Sequence, residues 1–402
     1  MSQRLVTFLT MCLVVGQHFQ FATVAGYPAT IGLVAGLVLW ISVQRGLPTA
    51  RGVLLSITPL LVALLAAFFT NDLFSSFEFI KTASLLTLAV VVLSTTTSRT
   101  DLEKITGPGL RQGLFLSLIL VSTLSVAQAV TGARGYTLFF NPFGAHQYLH
   151  EYDPLLAYTS IPRAHGFYLE PSYDAFVLCT VALILIGLNY RPRLVALLFV
   201  GGLLATQSAT GLLLTGILAM ILLLRAKLTS GLFIVAGLGL ATWFVGDYLR
   251  ARLASASDIG SSTNYRLVAP LRLMSDTLTN APLGHPLGSI QTIVGEYHLL
   301  LGSERGTSLD NGVYVIVYYF SWMGVLALAT CAVLAAVSAY RHRDWRTIAW
   351  VTPIWLLGSL LFSGAVVAPE FVLMAWLTIC SYHRVAEEHR LVDREVVRVG
   401  SA

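Results

Sequence analysis

The sequence predicts an all-α polytopic membrane protein, and three observations lead to this fold class: little charge, high hydropathy and long apolar runs. Only 11% of the 402 residues are charged, whereas a soluble domain carries about 25%. Hydrophobic residues make up 56% of the chain, and its mean hydropathy is +0.75. Runs of about 20 apolar residues match a bilayer core of roughly 30 Å, so we expect residues 1–402 to form a single integral membrane domain.

Apolar runs of spanning length predict about 12 transmembrane helices. The predicted spans are residues 5–23, 27–43, 52–70, 77–95, 112–131, 172–190, 194–208, 210–224, 228–247, 311–338, 347–363 and 367–383. As a single helix, residues 194–224 would be about 46 Å long, which is more than one crossing needs. We therefore predict two helices there, separated by a polar break at residues 206–211. Such a break is tolerated at membrane depth only where it lines a cavity.

Basic residues are distributed unevenly between the two sides of the membrane. With the N-terminus inside, 17 of the 25 basic residues fall in cytoplasmic segments, as the positive-inside rule requires. This asymmetry predicts that both termini are cytoplasmic, including a tail over residues 384–402. The outer loops 132–171 and 248–310 are too long to be simple turns. In the second loop, the apolar spacing of RLVAPLRLMSDTL predicts a short amphipathic helix on the membrane surface.

The sequence lacks the motifs of cytoplasmic nucleotide chemistry and of metal sites. It contains no glycine-rich phosphate loop and no G-x-S-x-G elbow. None of the four cysteines stands at a metal-ligand spacing, and the outer-loop histidines do not form a zinc pattern. We therefore expect any chemistry to take place on the outer face, with neither a metal nor another cofactor.

The densest polar segment is RAHGFYLEPSYD, residues 163–174. Glu170 and Asp174 are four residues apart, which predicts that they share one helix face. Glu170 gains from the helix dipole and could be only a cap. Asp174 lies one turn inside an apolar helix, where a charge is costly and usually functional. Because Arg163 and His165 precede them in the same segment, we expect a functional cluster here.

A second candidate cluster is Asp310-Asn311, at the start of the tenth predicted span. Both residue types are favoured at an N-cap, so a simple cap is the alternative interpretation. Arg266 and Arg272 lie earlier in the same outer loop. A guanidinium group suits phosphate and stays charged in a dry site, although headgroup contact is the alternative. We expect the two outer loops to bring arginines and carboxylates together over one pocket.

Four segments resemble the motifs of a known family. They are HGFYLEPSYDAFVL, ATQSATGLLLTGILAMILLL, NYRLVAPLRLMSDTLTNAPLGHPLGSI and SLDNGVYVIVYYFSWMGVLALA. Through them, roughly residues 160–335 resemble the Wzy-type polysaccharide polymerase and O-antigen ligase superfamily of bacterial inner-membrane glycosyltransferases. Ligases of this superfamily usually have a histidine where this chain has Asp310, which favours a polymerase. Many members also have an arginine in the helix break, where this chain has Ala209.

The resemblance implies a glycosyltransferase with a GT-C-like fold in the bacterial inner membrane, and the lack of a metal-ligand pattern predicts that it is metal-independent. Its substrates would be oligosaccharide repeat units on polyprenyl pyrophosphate, polymerised on the periplasmic face into exopolysaccharide, capsule or O-antigen. The implied catalytic base is Glu170 or Asp310, with His165 as a weaker candidate. The residues implied to bind substrate and pyrophosphate are Arg163, Arg266, Arg272, Asn311 and Asp174.

Two other functions are alternatives at this point. A ligase-type enzyme would transfer the glycan to lipid A core or to a protein. A flippase for lipid-linked sugars would need a polar path through the spans, but these are almost free of charge, with Lys81 as the clearest exception. The partners that the resemblance implies are polyprenyl-pyrophosphate-linked glycans, membrane lipids and a chain-length regulator of the same pathway, but no nucleic acid.

Overall fold

The structure is a computed structural model of the chain. It describes residues 1–24, 27–43, 50–69, 75–95, 107–136, 138, 163–168, 170–208, 211, 212, 215, 216, 239, 250, 254, 264–290, 309, 311–341, 351–360 and 368–400. Its helices include α1 (Gln3–Val15), α2 (Ile31–Val43), α3 (Ala50–Phe69), α4 (Ser76–Thr95), α5 (Pro108–Gly132), α6 (Pro171–Gly187), α7 (Pro192–Thr206), α8 (Pro270–Asn280), α9 (Gly312–Arg341), α10 (Thr352–Ser359) and α11 (Pro369–Gly400). A 3-10 turn (Gly16–His18), strands β1 (Gln20–Val24) and β2 (Tyr27–Thr30), and a π-helical turn (Asn264–Val268) also occur.

Several of these helices have the length and composition of membrane spans. In the described part of the chain, Ser76–Ser94, Pro108–Gly132 and Gly312–Tyr340 are long and apolar enough to cross a bilayer. Shorter apolar helices are Ile31–Val43, Ile57–Phe69, Pro171–Gly187 and Pro192–Thr206. The protein is therefore a predominantly helical membrane protein. The predicted number of 12 spans stays a prediction, because most of span 228–247 and part of span 347–363 lie outside the described residues.

The first predicted span, residues 5–23, is wrong in its second half, and the fold is therefore not purely α-helical. Helix α1 ends at Val15, and β1 pairs antiparallel with β2. The helix stops at Gly16, where a Cβ would lie only 3.0 Å from the backbone nitrogen of Gly32. This glycine lets the chain turn tightly against the start of α2 and then form the hairpin.

Helix α6 lies at the centre of the main hydrophobic core. Almost every residue from Ser172 to Gly187 is buried, and α6 packs against α5, α7 and α11. Phe176 stacks on Phe371 of α11 with ring centroids 5.3 Å apart. A helix that is apolar all round is expected to be enclosed by other helices. As a result, side chains at the N-terminal end of α6 face neighbouring helices on several sides.

A second core cluster forms where residues 281–290 pack against α9. This helix is interrupted at Ser321, which has φ 46° and ψ −127°. One turn earlier, the carbonyl oxygen of Tyr318 accepts a hydrogen bond from the backbone nitrogen of His285 (3.0 Å). Gly284 has φ +87°, and a Cβ there would lie 2.2 Å from the carbonyl oxygen of Tyr319. The glycine-containing segment therefore fits against the kink of α9.

Residues 270–280, within the predicted second outer loop, form helix α8. Helix α8 packs against α9 through a buried face that includes Leu273 and Met274. Leu267 and Leu271 are exposed, so this segment has an apolar surface that does not contact the rest of the described protein. Such a surface is compatible with contact to lipid.

Lys81, the clearest charged residue in the predicted spans, does not stand alone. Its ammonium group lies 2.6 Å from the Glu78 carboxylate, one turn earlier in α4. A pair at this i, i+3 spacing neutralises the charge locally and lies close to the end of the helix. Lys81 therefore does not indicate a polar path through the membrane.

Candidate functional site

The candidate site is built around the N-terminal end of α6. Glu170 is the N-cap residue, with extended backbone angles (φ −131°, ψ 141°), and Pro171 follows at the first helical position. The Glu170 side chain makes no capping hydrogen bond to the helix. Glu170 is therefore not a hydrogen-bonding cap of α6.

Glu170 instead forms an ion pair with Arg266, in the π-helical turn Asn264–Val268. The Nη2 atom of Arg266 contacts Oε2 of Glu170, and Nη1 donates to the Ser172 hydroxyl group (3.3 Å). The Ser172 hydroxyl in turn donates to Glu170 (2.9 Å). The Glu170 side chain is 50% exposed and that of Arg266 is 17% exposed. The pair is thus accessible from one side and anchored in protein on the other.

The charge of Glu170 is set by this environment. Partial burial raises the pKa of its carboxyl group, but the Arg266 guanidinium, the Ser172 hydroxyl and nearby His18 together lower it by more. The net pKa lies below the usual value for glutamate. Glu170 is therefore ionised at neutral pH, as a proton acceptor must be.

Asn311 positions Arg266 from the other side. Its amide nitrogen donates to the Arg266 carbonyl oxygen (3.3 Å), and its amide oxygen accepts from the backbone nitrogen of Val313 (3.0 Å). Asn311 is only 3% exposed, so both ends of its side chain hold the start of α9 to the π-helical turn. Neighbouring Asp310, the alternative catalytic base, lies outside the described residues.

Asp174 occupies a different environment from Glu170. Its Oδ2 atom accepts a hydrogen bond from Ser125 of α5 (2.7 Å), and its side chain is fully buried. The predicted shared helix face is wrong because Glu170 precedes the helix and has extended backbone angles, so helical spacing does not apply to it. Asp174 therefore faces α5, whereas Glu170 faces Arg266 in the π-helical turn. Direct contact with a phosphate is not expected for such a buried carboxyl group.

Gln128, near the end of α5, holds the turn that contains His165. Its amide oxygen accepts from the backbone nitrogens of His165 (3.0 Å) and Gly166 (2.9 Å), and its amide nitrogen donates to the Gly166 carbonyl oxygen (3.1 Å). Gly166 has φ +57°, and a Cβ there would lie 3.0 Å from Asp174. Only glycine fits this turn without strain.

The same turn fixes the tautomer of His165. Its Nδ1 atom lies 2.6 Å from the carbonyl oxygen of Tyr168, and because a carbonyl group can only accept, Nδ1 carries the proton. Burial lowers the pKa of His165 by more than this hydrogen bond raises it. The imidazole is therefore neutral at neutral pH.

The predicted break between residues 206 and 211 is present and borders the site. Helix α7 ends at Thr206, and Gln207 has left-handed backbone angles. Ser208 then begins a new turn, since its hydroxyl and carbonyl oxygens accept from the backbone nitrogens of Gly211 and Leu212. The Ala205 carbonyl oxygen, at the end of α7, accepts from Ala164 (3.2 Å). The segment that carries Arg163 and His165 is therefore hydrogen-bonded to the helix end at this break.

The arginines differ in their relation to the site. Arg266 is part of it, and partly buried Arg163 is held beside the helix break by its neighbour Ala164. Arg272 is exposed on α8 and has no ion pair or hydrogen bond to another described residue. The structure does not bring Arg272 together with the other candidates, and its predicted phosphate contact remains untested.

Glu370, in the first turn of α11, was not singled out by the sequence analysis. It is 5% exposed and accepts a hydrogen bond from the Thr30 hydroxyl group (2.5 Å). Its carboxylate also acts electrostatically on Tyr173 of α6. The sequence did contain a signal for Glu370, because this acid follows a proline at the start of an apolar span. Asp174 likewise follows Pro171 at the start of its span. Gln128 gave a similar signal as a polar residue within an apolar helix.

Within the described residues, no group of three or more histidine, cysteine, aspartate or glutamate side chains is arranged to hold a metal ion. Metal independence itself remains a prediction.

Two comparisons with known proteins agree on one family. A family model described as WcaD colanic acid polymerase matches residues 5–384. A protein of Escherichia coli (strain K12) named "Putative colanic acid polymerase" is 26% identical over 235 residues, which are 55% of this chain and 56% of that protein. This chain thus spans little more than half the length of that relative.

Proposed function

Since the chain belongs to the WcaD colanic acid polymerase family, we propose that it joins polyprenyl-pyrophosphate-linked oligosaccharide repeat units into an exopolysaccharide. The family match over residues 5–384 carries this proposal. The pairing of Arg266 with Glu170 supports it, because it places a phosphate-binding cation beside a proton acceptor.

The reaction transfers a glycan from one lipid carrier to a sugar hydroxyl group. The acceptor oxygen attacks the anomeric carbon of the donor, and the bond from that carbon to the pyrophosphate oxygen breaks. Polyprenyl pyrophosphate leaves with the electron pair, and the acceptor hydroxyl proton passes to the base. The leaving group gains negative charge, so a cation at this position stabilises the transition state.

Arg266 and Glu170 are the residues that we assign to these two tasks. The Arg266 guanidinium holds the pyrophosphate, with Arg163 as the second cation. Arg266 now lowers the pKa of Glu170. A pyrophosphate that bound Arg266 would offset this effect, and Glu170 would become a stronger base in the presence of donor.

The other candidates have different roles in this scheme. His165 is the second candidate base, because its neutral imidazole can accept a proton, and Asp310 is the third. We assign Asn311 and Asp174 to positioning Arg266 and the His165 turn, respectively. Arg272 remains a candidate for a more distant phosphate contact.

We place this reaction on the periplasmic face of the inner membrane, with both termini in the cytoplasm and loops 132–171 and 248–310 outside. The asymmetry of 17 basic residues inside among 25 supports this orientation. Lipid-linked glycans and membrane lipids are then the partners, with a chain-length regulator as a further one. Ligase and flippase activities have no observation that favours them over polymerisation.

The test is elongation by purified protein supplied only with lipid-linked repeat units and an excess of chelator. We expect a ladder of longer glycans, with no requirement for added divalent metal. Glu170→Gln, which keeps the size of the side chain, should reduce elongation strongly. Transfer to lipid A core without elongation would identify a ligase instead, and restoration only by Mg²⁺ or Mn²⁺ would disprove the metal-independent mechanism.

A further inference from the structure

A second polar group lies beside the Glu170–Arg266 pair, where α1, α2, α6 and α11 meet. We call it the Glu370 cluster; its members are Gln17, His18, Thr30, Tyr173 and Glu370. The Tyr173 hydroxyl donates to the amide oxygen of Gln17 (2.6 Å), and the Thr30 hydroxyl donates to Glu370 (2.5 Å). These side chains come from four separate parts of the chain, so tertiary packing alone brings them together.

Two glycines allow this convergence. A Cβ on Gly32 would lie 2.8 Å from the Cα atom of Gln17, and one on Gly16 would lie 3.0 Å from Gly32. The backbone after α1 can therefore lie directly on the start of α2. This contact brings Gln17 close to Thr30, which ends β2, accepts from the backbone nitrogen of Leu33 in α2 and donates to Glu370.

The Glu370 cluster also contains aromatic rings and lies close to Glu170. The His18 ring lies 4.6 Å from that of Tyr173 and 5.6 Å from that of Tyr168, measured between centroids. His18 also acts electrostatically on Glu170. The backbone nitrogen of Tyr173 donates to the Glu170 carbonyl oxygen (3.0 Å), so the cluster is next to the proposed base.

One hydrogen-bond donor in the cluster is unused. Gln17 is 1% exposed, and its amide nitrogen has no hydrogen-bond partner. Its amide oxygen is engaged by Tyr173, so the nitrogen lies within the same polar group. A buried donor without a partner is costly, which makes the Gln17 amide nitrogen a candidate for a ligand contact.

The chemistry of the cluster selects a neutral, hydroxyl-rich ligand. The carboxylate of Glu370 accepts hydrogen bonds and repels a phosphate, whereas the Gln17 amide nitrogen donates one. Aromatic rings offer apolar surface to the C–H face of a sugar ring. A sugar with neighbouring hydroxyl groups satisfies both requirements, and an anionic lipid headgroup does not.

We propose that the Glu370 cluster is a subsite for the sugar hydroxyl groups of the acceptor glycan, with Gln17 and Glu370 as its hydrogen-bonding residues. This inference rests on the proposed function. It assigns pyrophosphate to the cationic part of the site, at Arg266, and the neutral sugar to the Glu370 cluster. The subsite places the acceptor beside Glu170, which takes the proton from the attacking hydroxyl group.

The test uses full-length protein in detergent and two probes: the repeat-unit oligosaccharide freed from its lipid, and inorganic pyrophosphate. Gln17→Met keeps the side-chain volume and should weaken oligosaccharide binding about tenfold, as expected for one lost hydrogen bond of about 1.4 kcal/mol. It should leave pyrophosphate binding unchanged, and Arg266→Ala should have the converse effect. Gln20→Ala, on β1 outside the cluster, is the control. Should Gln17→Met fail to fold, Glu370→Gln gives the same comparison, since it retains an acceptor for Thr30.

The possible outcomes separate this inference from the proposed function. If wild-type protein elongates repeat units but binds the oligosaccharide no better than Gln17→Met and Glu370→Gln, or does not bind it at all, the subsite is disproved and the polymerase proposal stands. Weaker pyrophosphate binding in these variants would likewise disprove the sugar assignment. If oligosaccharide binding depends on Gln17 but no elongation occurs, the subsite stands and polymerisation is disproved.

Discussion

Arg266 combines a fixed position with a geometry suited to phosphate. Its guanidinium contacts Glu170 and Ser172, and its backbone is held by Asn311. A planar fork can serve two oxygen atoms at once, whereas an ammonium group acts as a single point charge. The shape of the side chain should therefore matter as much as its charge.

Arg266→Lys should reduce elongation nearly as much as Arg266→Ala. The loss of one contact that strengthens as the leaving group departs costs about 10²–10³ in rate. The rate is measured with purified protein at matched concentration, and Arg163→Lys is expected to behave similarly. Arg250→Lys, at an exposed position, is the control. Near-normal elongation by both Arg163→Lys and Arg266→Lys would show that the pyrophosphate binds elsewhere.

Ser172→Ala should shift the acid limb of the pH profile of kcat/KM toward higher pH. The Ser172 hydroxyl donates to Glu170 and lowers its pKa, so its removal raises that pKa. Protonated Glu170 cannot act as a base, so the variant should lose activity at a higher pH than the wild type during acidification. At a pH well above the pKa of Glu170, activity should be retained. Ser172→Thr keeps the hydroxyl group and is the control. An unmoved acid limb in Ser172→Ala would argue for His165 or Asp310 as the base.

Gln128→Glu should make activity decrease as pH rises. A protonated carboxyl group can replace the amide, because it accepts from the His165 turn and donates to the Gly166 carbonyl oxygen. An ionised one places a negative oxygen against that carbonyl and opens the turn. The measurement compares elongation at pH 5 and pH 8 with Gln128→Ala, which should be poor at both. Gln112→Glu, exposed on the same helix, should follow wild type; a flat profile for Gln128→Glu would show that the turn does not contribute.

At the scale of elements, irregular backbone provides the contacts that regular helices cannot. The end of α7 leaves the Ala205 carbonyl oxygen for Ala164, and the kink of α9 leaves that of Tyr318 for His285. Each helix interruption thus accepts a hydrogen bond from a loop segment. The segment at the end of α7 carries the candidate residues Arg163 and His165. Backbone groups inside a membrane protein must be paired, so these loops and breaks stabilise each other.

Gly284→Ala should destabilise the protein strongly. The position has φ +87°, and a Cβ there would lie 2.2 Å from the carbonyl oxygen of Tyr319, so strain and a backbone clash add together. We expect a loss of about 2–4 kcal/mol in the free energy of unfolding, seen as a lower Tm in detergent. Gly187→Ala is the matched control, because a Cβ there would meet no atom within 4 Å. Equal Tm values for the two variants would mean that residues 281–290 do not pack as described.

At the scale of the whole molecule, the charge asymmetry predicts one orientation in the membrane. Reporter fusions at residues 145 and 290 should show periplasmic activity, and a fusion after residue 402 should show cytoplasmic activity. A cytoplasmic signal at residue 290 would first overturn the assignment of residues 194–224 to two spans.

The sequence predicted features with a local signature and missed those that depend on packing. Low charge and apolar runs identified a helical membrane protein, and the polar residues of 206–211 located a real helix break. The hairpin after α1 was missed because residues 16–24 contain no Asp, Glu, Lys or Arg to mark the end of a span. Only the contact of Gly16 with Gly32 shows why the helix ends. Gln17, in the 3-10 turn after α1, and Gln128, in an apolar helix, were not assigned roles because their hydrogen-bond partners lie far away in the sequence.

The two buried acids in the described residues also bear on how this chain enters the membrane during synthesis. Asp174 is bound by Ser125, 49 residues earlier, and Glu370 by Thr30, 340 residues earlier. A chain is synthesised from its N-terminus, so each acid finds its hydrogen-bond donor already present when its own helix is inserted. Glu170 is the opposite case, since its partner Arg266 comes 96 residues later, but half of its side chain remains exposed. Because their donors are synthesised first, neither buried acid has to enter the lipid before a hydrogen-bond donor is available. Water can solvate Glu170 until Arg266 is synthesised.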